Sequence, residues 1–403
     1  MKKLFPKKQR PIKKLLLAGA GHAHIGWLRR LARKRLDTLQ EVEVSVITEH
    51  PQTIYSGMLP GWMASHYKRS EISIDIAALC RRAGVTLIQR PIIAVDADTQ
   101  TVITVKNAKD AKNAKDERFD YELLSLNTGA DTDMTWLNTD GLVNEDLIDK
   151  DLADKNLKNT VIPVRPIFNF VEQWQQILKQ AEQVSDYKVA VVGAGAAATE
   201  LVMAAQFALQ QINPSHQAYL VCGEQLLSGF DAGFRSRVIK QLQRRNIEII
   251  YERAKGLAGG KLATSKQTLA ADATIAATGV MGSAWAAQTN LETVDKGFIA
   301  VNDKQQSTSH DNVFAVGDVA SRVDREMAHS GVHAVFGGKV EADNLLAYLV
   351  GDKLKSYRPK NRTLYLLACG DKYAIGSWGN FSAQGCWIWY LKRYIDKRFV
   401  NAK

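Results

Sequence analysis

The 403-residue chain reads as an α/β protein made of two Rossmann-type dinucleotide-binding domains, the second inserted in the first. Three observations predict this. A glycine-rich turn, LLLAGAGHAH, stands at residues 15–24, and a second, VAVVGAGAAATE, at 189–200. A strand-end Gly-Asp, NVFAVGDVA, follows at 312–320. One glycine-rich turn is a weak signal. Two such turns, followed by a Gly-Asp far beyond the first, describe one nucleotide domain interrupted by another.

The first unit opens on the apolar run 14–18, read as a buried parallel strand. Gly19 allows the tight turn that follows, Ala20 lies between the glycines, and Gly21 lets the backbone approach a pyrophosphate. A helix beginning near His22, with Ala23 and His24 in its first turn, presents free N–H groups and a positive dipole end to phosphate. His24 occupies the third glycine position of the fingerprint, a departure from it. The alternating strand 42–47 ends at Thr48-Glu49, where a ribose-binding carboxylate belongs; the alternative is a solvated strand-end glutamate. Strand 85–90 completes a βαβ unit. Residues 101–126 read as a hairpin with a charged, low-complexity tip, and its returning strand ends in Asn127-Thr128-Gly129-Ala130.

Residues 131–160, polar and rich in Asp and Asn, suit a crossing between domains. Strand 188–192 opens the second unit. Gly193, Gly195 and Ala198 match GxGxxA, and an alanine-rich helix runs on to about Gln210. The next strand ends at Cys222-Gly223 with neither an acid nor an arginine, so the choice between NAD and NADP is left open. The unit closes with Ala273–Ala277 and Thr278-Gly279. The two Thr-Gly ends echo each other, each read as ending a domain's outer strand beside the nucleotide. The chain then returns to the first domain, where Gly317 opens space and Asp318 is placed to accept a hydrogen bond from a ribityl hydroxyl.

Composition bounds the function. Four scattered cysteines form no CxxC pair, which argues for a reducing compartment and against disulfide or zinc chemistry. His22 and His24 lack carboxylate or cysteine company, so no metal is expected. No signal-peptide core or long apolar run is present, which points to the cytoplasm. The net charge is +11, and residues 1–14 hold seven basic and no acidic side chains. That tail is either a solubilising arm or a contact for an anionic surface. No nucleic-acid partner is expected.

With these residues in view, the chain resembles the FAD-dependent pyridine nucleotide–disulfide oxidoreductase superfamily. The carrying set is GAG at 19–21, TGA at 128–130, GAGAAATE at 193–200, ATG at 277–279 and STSHDNVFAVGD at 307–318. Within it the chain is most similar to the type II NADH dehydrogenase branch. More narrowly it resembles the flavoprotein found alone or fused ahead of selenophosphate synthetase (selenide, water dikinase), through GHAH at 21–24, YSGMLPGWMASHY at 55–67, VRPI at 164–167 and SGVHAVFGGKVEADNL at 330–345. The resemblance implies FAD held by Gly19, Gly21, Glu49, Thr128, Gly129, Gly317 and Asp318, with Ala20, His22, Ala23, His24, Pro60 and Ala130 beside it. It implies NADH or NADPH held by Gly193, Gly195, Ala198, Glu200, Thr278 and Gly279. Glu200 matches the acidic residue near the nicotinamide and is the catalytic candidate; a helix-start carboxylate on the dipole is the other reading, and both can hold.

The corresponding domains are 1–155 (FAD, first part, with the basic tail 1–13), 156–280 (NAD(P)H), 281–345 (FAD, second part) and a C-terminal α+β segment, 346–403. Hydride transfer is the cofactors' chemistry, and the protein aligns and shields them. Without a cysteine pair, the expected acceptor is a quinone or another small molecule. Selenium compounds enter only through the resemblance, and a non-catalytic redox sensor is a further alternative. Pro60 and Gly61 are expected to shape a loop along the flavin. His329 and His333, four apart, are expected on one helical face. In 386–403, Ile388, Leu391, Ile395 and Phe399 fall at helical spacing with Trp387 and Tyr394, and Lys392, Arg393, Lys397 and Arg398 opposite. That helix suits the inner face of a membrane or docking on the body or on a second subunit in a homodimer.

Overall fold

The computed structural model describes residues 13–34, 37–106, 116–138, 160–360 and 362–402. The basic tail, the charged hairpin tip and most of the expected crossing 131–160 fall outside these residues.

In chain order, the first unit supplies β1 (Lys14–Ala18), α1 (His22–Arg33), β2 (Glu43–Thr48), β3 (Thr86–Gln89) and β4 (Leu123–Leu126). The second supplies β5 (Val161–Pro163), β6 (Lys188–Val192), α2 (Ala196–Ile212), β7 (Gln217–Val221), β8 (Glu248–Ile250) and β9 (Ala273–Ala276). The chain returns through β10 (Val313–Ala315) and α3 (Gly331–Val350), then finishes with β11 (Leu364–Ala368), β12 (Ala374–Trp378), β13 (Phe381–Gly385) and α4 (Cys386–Val400).

Two five-stranded parallel sheets result, in the orders β10-β4-β1-β2-β3 and β5-β9-β6-β7-β8. Their central strands are buried on both faces, which is why they appear in the sequence as apolar runs, while the edge strand β3 is only partly covered. In each sheet the strand ending in Thr-Gly lies directly beside the strand that ends in the glycine turn: β4 pairs with β1, and β9 with β6. Neither is an outer strand, because β10 and β5 cover them. The segment leaving the first unit, Asp131–Thr132, pairs antiparallel with the returning Val280–Met281, so the two crossings run side by side.

The expected hairpin is part of a three-stranded antiparallel sheet, 92–96, 101–104 and 117–120. The chain leaves it at Tyr121 and joins the parallel sheet as β4. Leu59–Met63 forms a short helix whose Leu59, Trp62 and Met63 are buried in the apolar core of the second unit. Apolar burial therefore carries Pro60 into the protein body rather than along a ligand. His329 precedes α3, whose N-cap is Ser330, so the two histidines do not share a helical face. His329 stacks on Phe298, and His333 reaches the Tyr357 hydroxyl.

The antiparallel sheet β11-β12-β13 and α4 pack on the second unit. The apolar stripe expected of α4 divides. Ile388 and Trp389 are buried, and Phe399 stacks on His22 and Tyr55. Trp387, Tyr390, Leu391, Tyr394 and Ile395 are exposed, while Lys392 and Asp396 turn inward. Among the described residues, no helix is long and apolar enough to cross a membrane.

Candidate functional site: a dinucleotide cleft and its neighbouring helix start

A cleft of about 460 Å³, partly open to solvent, runs along the C-terminal ends of β1, β2 and β4. That is where open α/β sheets bind ligands, and the volume falls within the range of roughly 300–1,000 Å³ typical of small-molecule pockets. Its walls include Gly19, Ala20, Gly21, His22, Glu49 and Thr128, and also Gly129, Ala130 and Asp318. Nine of the thirteen residues expected around FAD thus meet in one place. Gly331 and Ala334, from the start of α3, close the far side.

The turn is built as follows. Gly19 has φ +89° and donates its N–H to Ile47 O at 2.7 Å. A Cβ at Gly21 would lie 2.3 Å from Asn127 Oδ1, so glycine is required here by a side chain of the protein. Asn127 was missed by sequence reasoning. Its Oδ1 accepts the N–H groups of Ala23 at 3.1 Å and His24 at 3.4 Å, while its Nδ2 donates to Val316 O at 2.5 Å. It therefore caps α1 and ties the glycine turn, the end of β4 and the end of β10 together. With two first-turn N–H groups taken, the donors facing an anion narrow to those nearer the turn. The only sequence signal was an asparagine at the end of a buried apolar strand.

His24 and Ala23 are buried and face the body, not the cleft. His24 Nδ1 lies 2.6 Å from Gly19 O and Nε2 lies 2.6 Å from Ser125 Oγ, which donates to Glu341 Oε1. The imidazole thus fills the place of the fingerprint's third glycine with hydrogen bonds. Burial lowers its pKa to about 4, and burial raises Glu341 to about 8. Close packing is transferred elsewhere: a Cβ at Gly338 would lie 2.5 Å from Ala23 Cβ, so α3 and α1 meet with only the Ala23 methyl between them.

Asp318 presents two different oxygens. Oδ2 pairs with Arg165 Nη1 at 2.5 Å across the cleft, whereas Oδ1 is buried without a hydrogen-bond partner. His22 Nε2 is likewise buried and unpartnered, and burial holds this imidazole at about 4, neutral at physiological pH. Buried polar atoms are normally satisfied. A hydroxyl-rich, hydrogen-bonding ligand such as the ribityl and ring of FAD fits these two atoms. Arg165 is a second residue that sequence reasoning left without a role.

In the second unit, Gly193 donates its N–H to Val221 O at 2.9 Å, and a Cβ there would lie 2.3 Å from Ala277 O. Ala198 is fully buried beside it, and it packs α2 on the sheet rather than facing a ligand. Gly195, the N-cap of α2, fronts open space, as does Gly279. A phosphate-sized anion can reach that helix start. Thr278 donates to Asp133 O, and Gly279 O accepts the Asp133 N–H at 3.2 Å, so this Thr-Gly also anchors the crossing. Glu200 turns towards the C-terminal segment, where Oε1 accepts the Ala368 N–H at 2.7 Å. Burial pushes its carboxyl up, and Lys392 opposes that.

The family model for pyridine nucleotide-disulphide oxidoreductases matches residues 13–335. Over 99 residues the chain is 34% identical to ferroptosis suppressor protein 1 of Xenopus laevis, covering 24% of this chain and 25% of that protein. The matched stretch is thus a quarter of that relative's length. The fold is similar to sulfide:quinone oxidoreductase from the hyperthermophilic bacterium Aquifex aeolicus, with a TM-score of 0.73 at 16% identity, covering 97% of this chain and 92% of that one. It is also similar to NDH2 from Plasmodium falciparum in complex with NADH, with a TM-score of 0.71 at 13% identity and coverage of 96% and 97%. The chain belongs to the pyridine nucleotide-disulphide oxidoreductase family, flavoprotein oxidoreductases that work with FAD and NAD(P)H.

Proposed function

We propose that the chain takes hydride from NAD(P)H onto FAD and passes the electrons to a quinone at a membrane surface. The observation that carries the reading is the cleft itself. It offers two unpartnered buried polar atoms for FAD, and among the described residues no cysteine lines it. Cys80, Cys222 and Cys369 are buried free thiols, and Cys386 is exposed at the start of α4. A disulfide acceptor would need a cysteine at the flavin. The two similar structures, one a sulfide:quinone oxidoreductase and one an NADH complex, support the same direction.

Gly19, Glu49, Thr128 and Asp318 would hold FAD, which supplies the hydride acceptor when bound. Gly193, Gly195 and Gly279 would admit the nicotinamide nucleotide at the start of α2. Arg165 and His22 line the same cleft, with Arg165 paired to Asp318. The exposed aromatics of α4 form the face that would meet lipid. The test is anaerobic. The purified protein should carry flavin absorbance, bleach with NADH or NADPH, and recover colour fastest with a short-chain quinone. Recovery driven best by a disulfide or by a selenium compound would overturn the acceptor, and a protein that cannot take up FAD would overturn the whole reading.

A further inference from the structure

Behind the cleft wall formed by Ile54 and Ser56, ionisable groups from three distant parts of the chain come together. α4 contributes Lys392 and Asp396, whose side chains keep only 12% and 7% exposure and lie 3.1 Å apart. Lys392 Nζ also donates to Gly57 O at 2.7 Å. The Tyr55 hydroxyl donates to Asp396 Oδ1 at 3.2 Å. Glu200 on α2 faces the same group and acts electrostatically on both Lys392 and Tyr55. Also near are Cys369, pushed by burial to about 12, and Arg393, Lys397 and Glu71, the last two paired at 2.9 Å.

Packing alone does not call for these charges. Taking an ion pair out of water costs about as much as the pairing returns, and apolar residues of similar size serve stability as well or better. One cation here stands against two carboxylates. Fully ionised, Lys392, Asp396 and Glu200 would leave one negative charge in a poorly hydrated place, so the group is more stable with one proton shared between the carboxylates. Burial pushes both carboxyls up. Burial pulls Lys392 down, but the carboxylates outweigh it and keep the ammonium charged.

The inference rests on the quinone reading above. NADH, one proton and a quinone give NAD⁺ and a quinol. Hydride brings both electrons and one proton, so the second proton must come from solvent in every turnover. We propose that Lys392, Asp396 and Tyr55, backed by the Glu200 carboxylate, form a proton-holding cluster that supplies this second proton beside the flavin cleft. A carboxyl O–H of the cluster breaks as the quinone oxygen gains its proton, and the carboxylate is re-protonated from water. The outer side of α4 carries the aromatic face, so one helix would place the acceptor and hold its proton.

The test compares the wild-type protein with Asp396→Asn and Tyr55→Phe, each loaded with FAD. Two readouts are used. The infrared spectrum at neutral pH should show a protonated carboxylic acid in the wild type that Asp396→Asn or Glu200→Gln removes or shifts. Anaerobic stopped flow should show reduction by NADH nearly unchanged in Asp396→Asn. Reoxidation by short-chain quinone should slow on the order of a hundredfold, with a displaced pH profile. Tyr55→Phe removes a single hydroxyl and should slow the same half-reaction in the same direction, which keeps the idea testable if Asp396→Asn fails to fold. An unchanged infrared spectrum, or equal slowing of both half-reactions, would overturn the cluster. If quinone does not reoxidise even the wild type, the acceptor reading fails, and the infrared readout still decides whether a proton is held.

Discussion

Replacing Asn127 by alanine should loosen the FAD cleft from behind, and the size of the effect follows from its bonds. The side chain accepts two helix N–H groups, at 3.1 and 3.4 Å, and donates one bond to Val316 O at 2.5 Å. The two longer contacts together count as one good cap, worth about 1 kcal/mol. The donated bond contributes about 1 kcal/mol, and leaving the buried Val316 carbonyl unpaired adds roughly 1–3 kcal/mol. The sum is about 3–5 kcal/mol, which at about 1.4 kcal/mol per tenfold is a factor between about a hundred and a few thousand in the folding equilibrium. Urea unfolding of the flavin-free protein, followed by circular dichroism, measures it, and fluorescence titration gives the accompanying loss of FAD affinity. Asn127→Asp keeps the cap acceptor and loses the donor, so it should fall between. Gly21→Ala should be partly rescued in the Asn127→Ala background, because the 2.3 Å clash with Oδ1 disappears while the 2.7 Å clash with Asn127 O stays. A loss below about 0.5 kcal/mol for Asn127→Ala, the size of an ordinary surface substitution, would refute the tie.

Stability should also depend on pH through the groups beneath the turn. His22 and His24, each held by burial at about 4, bind protons first in the unfolded chain, so stability is lost as pH falls from 6.5 towards 4. Glu341, held by burial at about 8, keeps its proton in the fold, so stability is lost as pH rises from 4.5 to 8, at about 1.4 kcal/mol per pH unit. Glu341→Gln should remove that alkaline limb, and parallel unfolding-against-pH curves for wild type and variant would sink the assignment. Iodoacetamide under native conditions should label Cys386 first. Cys80, Cys222 and Cys369 lag, since burial raises them to about 11, 11 and 12, and peptide mass spectrometry reads the order. Changing Trp387, Tyr390 and Tyr394 together to serine should abolish flotation with anionic vesicles while NADH still bleaches the flavin. Undiminished flotation would remove lipid from the account of α4.

What was legible in the sequence is what local physics dictates. The central parallel strands are apolar because both faces are covered, and the glycine turns appear because Gly19 and Gly193 sit where a Cβ would strike backbone. Both features lie within a few residues of each other, so a short window contains them. His24 is the opposite case. It looks like a damaged fingerprint, yet its partners Ser125 and Glu341 come from another strand and another helix, and no local spacing announces them. Asn127 stood in plain sight beside Thr128-Gly129, but its work is done on Ala23, His24 and Val316, which only the sheet order brings within reach.

The same distinction explains α4. Helical spacing identified the helix and its apolar residues, but which side faces inward depends on Tyr55, Gly57 and Glu71, all remote in sequence. An amphipathic helix that turns a lysine and an aspartate inward, and Trp387 and two tyrosines outward, violates the rule used to read it. Violations of that kind cost stability and persist where something else requires them. Here they are not scattered. His22, Asn127 and Asp318 surround the turn, while Lys392 and Asp396 stand behind the neighbouring wall, with Tyr55 touching both His22 and Asp396. Glycine spacing locates the nucleotide. The polar residues that break the burial pattern locate the groups that would hold its flavin end and, through Tyr55, connect that wall to the helix facing outward.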